Sequence, residues 1–144
     1  MVGSVKTLVR PTGTDRRPRL SLWVLRVTAT VHLVLVLAQP VLAGLFLTGN
    51  VDAITVHGGV AGVLGITALA LVGAAIAYVV RRGRLWVLPV MVVQFLAIGA
   101  QMALGFTRAL GGHVPLGVAI VSVSVLLAVW VWTPAAAVPR GGAR

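Results

Sequence analysis

The sequence predicts an all-α fold, an integral membrane four-helix bundle with both termini in the cytoplasm. Three observations carry that expectation. Of 144 residues, 59% are hydrophobic and only 10% are charged, whereas a soluble domain carries about a quarter charged residues. So small a globule cannot hide that much apolar surface, so lipid is the expected solvent. The apolar residues fall into four runs of spanning length, at about 22–47, 56–80, 85–106 and 114–132. The basic residues fall almost entirely on one side of those runs.

Eleven of the twelve basic residues precede or open the first run, fill the gap between the second and third, or follow the fourth. Arg108 alone lies in another connection. Basic residues collect on the cytoplasmic side of membrane proteins. The same distribution argues against nucleic acid as a partner, because no soluble surface interleaves these charges with stacking groups. The expected setting is the bacterial cytoplasmic membrane, crossed four times. Trp23, Trp86, Trp130 and Trp132 all fall at predicted inner ends of spans, where an indole sits between acyl chain and headgroup.

Taken in order, residues 1–19 read as a disordered basic cytoplasmic tail, residues 20–133 as the transmembrane domain and residues 134–144 as a second cytoplasmic tail. The first span contains Pro40, which frees one backbone carbonyl and is tolerated within a bundle. Val41–Ala43 resembles a signal-peptidase site, but the long basic region and the spanning length favour an uncleaved helix. Residues 48–55 form an outer loop. The second span is rich in small residues, with pairs such as Gly58/Gly62 and Gly73/Ala77 that suit close helix packing. Residues 81–84 form an inner turn, and residues 107–112 form a second outer loop ending in Gly111 and Gly112.

The halves resemble each other, which suggests a two-hairpin pseudo-two-fold repeat. His32 and Gln39 stand seven residues apart in the first span, as do Gln94 and Gln101 in the third, so each pair lies on one helix face. Polar groups in hydrocarbon are expensive, which marks His32, Gln39, Gln94 and Gln101 as candidate interior positions. Each segment leads through a Gly-containing loop to a histidine, His57 or His113, that opens the next helix. Those two helices run in the same direction, so both imidazoles are expected at one depth near the outer face. If the helices lie diagonally, His57 and His113 are placed to ligate a haem b iron. Arg108 is then the cation available to a propionate. Three dispersed histidines without cysteine make a poor zinc site.

The absence of cysteine also excludes disulfide-exchange chemistry. The acids are Asp15 and Asp52 alone, neither within a span, which argues against proton-coupled export through an intramembrane carboxylate. No catalytic constellation is visible.

A four-helix unit with His57 opening its second helix and His113 opening its fourth resembles one half of the haem A synthase family. The resemblance spans residues 27–132 and implies haem ligation at those two positions. Where that family has a catalytic Glu and an Arg around the helix-two histidine, this chain has Ile54 and Gly58, so the synthase reaction is not expected. The Gln39-x-x-x-Ala43-Gly44 and His113-x-x-x-Gly117 patterns are also similar to uncharacterised small four-helix bacterial integral membrane proteins, a likeness that implies no activity. The expected role is therefore electron transfer or haem handling beside a respiratory or haem-handling membrane partner. The alternatives are a cofactor-free accessory or scaffold subunit of a larger membrane complex, or passage of a small solute along the interior polar residues.

Overall fold

The structure is a computed structural model that describes residues 19–141. The expected N-terminal tail lies outside the described residues, apart from Arg19. Four long helices follow one another: α1 Leu20–Leu47, α2 Asp52–Val80, α3 Val87–Phe106 and α4 Leu110–Trp132. A short helix, α5 Pro134–Ala137, follows α4. All four long helices are long and apolar enough to cross a membrane. Even the 20 residues of α3 span about 30 Å, the thickness of a hydrocarbon core.

Two helices start earlier than the apolar pattern suggests. Helix α2 begins at Asp52, whose carboxylate stands in the first turn, where the helix dipole favours it. Helix α4 takes in Gly111 and Gly112. His57 therefore lies in the second turn of α2, whereas His113 closes the first turn of α4.

The first three helices end in the same way. Asn50 N–H reaches back to Leu45 O, Gly83 to Tyr78 O and Ala109 to Leu104 O, each at 2.9–3.1 Å. The residue before each of these donors has positive φ: Gly49 at 100°, Arg82 at 63° and Arg108 at 56°. These are Schellman caps, in which a left-handed residue lets the chain satisfy the last free carbonyls. Two of the three place arginine where glycine is usual.

Helices α1 and α3 each pack against both α2 and α4, so α2 and α4 face each other diagonally across the bundle. The interior is layered. At the arginine end, Leu22, Leu25, Leu71, Tyr78, Val87, Met91, Leu127 and Val131 pack into the larger apolar cluster. Further along, Val36, Leu64, Ala68, Ile98 and Ile120 form a smaller one. The outward faces are apolar too: Val34, Ile66, Val93, Leu96, Val118 and Leu126 are all exposed. A surface of that kind suits contact with lipid chains rather than water.

The small residues of α2 act differently from the expectation. A Cβ added at Gly58, Gly59, Gly62, Gly65 or Gly73 meets nothing within 4 Å, so these glycines do not mark close helix approach. Ala53, Ala68, Ala74 and Ala75 are the buried small residues of this helix. The glycine of the α2–α3 turn, Gly83, is sterically required, because a Cβ there would collide with the Tyr78 ring. The Tyr78 hydroxyl donates to Ala136 O at 2.8 Å, and Arg140 N–H donates to Arg82 O at 2.7 Å. The segment after α4 is thereby tied to the α2–α3 turn.

Candidate functional site

Four polar residues meet at the end of the bundle opposite the tryptophans. The His57 and His113 rings approach across the α2–α4 diagonal, with centroids 6.3 Å apart and planes inclined at 53°. Both rings are half-buried. His57 Nδ1 lies 3.2 Å from Gln39 O, and His113 Nδ1 lies 3.0 Å from Gln101 O. A backbone carbonyl can only accept, so in each ring Nδ1 carries the proton. Among the described residues neither Nε2 has a hydrogen-bond partner, which leaves both lone pairs free to bind.

The local sequence explains how the rings reach main-chain oxygen inside a neighbouring helix. The side chain four residues after each glutamine stands over the groove that the imidazole must enter. Those positions hold Ala43 and Gly105. A Cβ at Gly105 would lie 3.1 Å from His113 Cε1, tighter than ordinary contact. The reciprocal position, four residues after His113, is Gly117, where a Cβ would lie 2.9 Å from Gln101 Nε2. Each partner of the second hairpin thus sits in a gap left by a glycine of the other. In the first hairpin, Gln39 Nε2 donates to His57 O at 3.3 Å. Gln101 Oε1 is buried without a hydrogen-bond partner.

His32 and Gln94 stand apart, two helical turns below the glutamines of their own helices. His32 is only 1% exposed, and its Nδ1 lies 2.8 Å from Thr67 Oγ1. Thr67 spends its own proton on Leu64 O, so His32 is the donor, and its Nε2 is left buried without a partner. Gln94, also buried, donates to Ser124 Oγ at 2.8 Å and to Ile120 O at 3.1 Å. These bonds pair α1 with α2 and α3 with α4 in a polar layer between the two apolar clusters. Thr67 and Ser124 are the partners that periodicity alone does not single out.

Arg108 sits in the α3–α4 turn at the histidine end and is exposed. Among the described residues its side chain makes no hydrogen bond or ion pair, so it is not joined to either imidazole. No group of three or more His, Cys, Asp or Glu gathers among the described residues. Among the described residues the site offers a metal two imidazoles and no further His, Cys, Asp or Glu, a poor set for a tetrahedral ion held by protein alone. Two ligands suffice where a macrocycle supplies the four in-plane donors.

Four helices of membrane-spanning length and composition, with His32, Gln94 and Ser124 buried between them, define a multi-pass helical membrane protein. No family model, no curated protein and no solved structure matches this chain.

Proposed function

We propose that the chain is a small cytochrome-b-like membrane protein that binds haem b through His57 and His113, for electron transfer or haem handling. The observation that carries this reading is the pair of facing imidazoles, each anchored through Nδ1. His57 and His113 would each offer an unprotonated Nε2 to a haem iron held between their helices. Their ring centres lie 6.3 Å apart, close enough for both to reach one group. Main-chain acceptors on Nδ1 fix the tautomer, hold the ring orientation and raise the basicity of Nε2. When bound, haem supplies a one-electron iron couple, and the half-buried setting moderates access of water to it. Arg108, on the turn at the same end, is the cation within the fold's reach for a propionate.

The charge distribution supports a cytoplasmic position for both termini, so the histidine pair faces the outer side. The matched Gln–His anchors, and the matched His32–Thr67 and Gln94–Ser124 pairs, support descent from a duplicated hairpin.

Purified protein from haem-replete cells should show a redox-sensitive Soret band, lost in His57→Ala and in His113→Ala. A colourless preparation would overturn the assignment. The Nδ1 anchors also favour a second reading, because hydrogen bonds between helices are worth about 0.6–2 kcal/mol without any cofactor. A cofactor-free accessory or scaffold subunit would assemble with its partner complex after both histidine substitutions.

A further inference from the structure

We propose that the arginine end of the bundle holds one anionic phospholipid, with its phosphodiester on Arg26 and an acyl chain beside Trp23. Arg26 lies within α1 and is only 7% exposed. Its Nε donates to Val131 O at 2.7 Å. The guanidinium carbon is 5.3 Å from the Trp23 ring centre and 5.0 Å from that of Trp132. The two indoles meet edge to face at 5.5 Å, and Trp132 Nε1 donates to Thr30 Oγ1 at 3.2 Å. The cation is therefore locked in place.

A guanidinium has five N–H donors, and only Nε has a protein acceptor among the described residues. Nor does any described carboxylate compensate the charge, since Asp52 opens α2 at the other end of the bundle. Aromatic faces offset only part of the cost of taking such a cation out of water. Among the described residues this enclosed cation therefore has no anionic partner, and an anion from outside them would supply one. Arg19 Nη2, at the same end, is also buried without a partner.

The surroundings favour a lipid over a free anion. Trp23 borders a shallow, open, mainly apolar groove of about 320 Å³ on α1, lined also by Leu20, Val24, Val27 and Thr28. Trp23 touches both the guanidinium and this groove, so a ligand that reaches from one to the other must carry phosphate oxygen at one end and hydrocarbon at the other. Tryptophan and arginine at a helix end are also where headgroups lie.

The test is native mass spectrometry of the full chain from detergent micelles. Dioleoylphosphatidylglycerol, dioleoylphosphatidylcholine and inorganic phosphate are titrated separately. The expected result is one phosphatidylglycerol per chain, bound about tenfold more tightly than phosphatidylcholine, with no retained phosphate. Arg26→Gln should weaken that binding by about tenfold or more. Should that variant fail to fold, Val27→Trp, at an exposed position, fills the groove with Arg26 intact and should weaken binding similarly. Equal retention of both lipids, retention of phosphate instead, or unchanged binding in a folded variant would overturn the proposal. The proposal stands independently of the histidine pair.

Discussion

Replacing Gly105 by alanine tests the seat of His113 directly, and Gly99→Ala in the same helix supplies the reference. At Gly99 an added Cβ meets nothing within 4 Å. That change should show only the helix-propensity gain, up to about 1 kcal/mol. At Gly105 the same gain meets a Cβ 3.1 Å from His113 Cε1. The ring must give by a few tenths of an ångström, which strains or breaks the 3.0 Å bond from Nδ1 to Gln101 O. A hydrogen bond of that kind contributes about 0.5–1.5 kcal/mol net. The two effects offset, so Gly105→Ala should leave stability nearly unchanged or slightly reduced, about 0.5–1.5 kcal/mol below the reference. Denaturant unfolding in micelles measures the difference, and the ¹⁵N chemical shift of His113 Nδ1 reports whether its hydrogen bond has weakened. Equal stabilisation by the two alanines, with the His113 shift unmoved, would refute the claim that this glycine makes room for the imidazole.

Gly83→Ala should destabilise the fold by about 1–3 kcal/mol, because the new methyl collides with Tyr78 and pulls its hydroxyl from Ala136 O; denaturant unfolding and faster proteolysis of the C-terminal segment would show it. Arg82→Gly should act in the opposite sense. It relieves a left-handed arginine, φ 63°, by roughly 1 kcal/mol, and an unchanged or lower unfolding midpoint would count against the cap described here.

Legibility in the sequence differs by residue. The four spans follow from long apolar runs, a signal that tertiary packing cannot reverse when lipid is the solvent. The start of α2 is harder, because the Asp52-Ala-Ile-Thr segment lacks a strong apolar pattern and its helix is favoured by a first-turn acid. Glycine misleads at both ends of the argument: Gly111 and Gly112 read as a turn yet stand in α4, and the α2 glycines read as a packing seam yet face open space. Spacing places His57 and His113 at the start of their helices and leaves their acceptors unidentified. Those acceptors are main-chain oxygens, which carry no residue signature. Arg26 reads as one more basic residue at the opening of the first span. Its enclosure depends on Trp132 and Val131, more than 100 residues away in sequence, and no local pattern encodes that.

The oxygens that steady the two imidazoles belong to the polypeptide backbone, which every amino acid carries. Exchanging Gln39 or Gln101 for another side chain leaves those acceptors where they are, so long as α1 and α3 keep their positions. Mutational scanning would then register the histidines and the small residues that admit them, and pass over the atoms that aim them. Only a sliding or unwinding of a whole helix can take that support away.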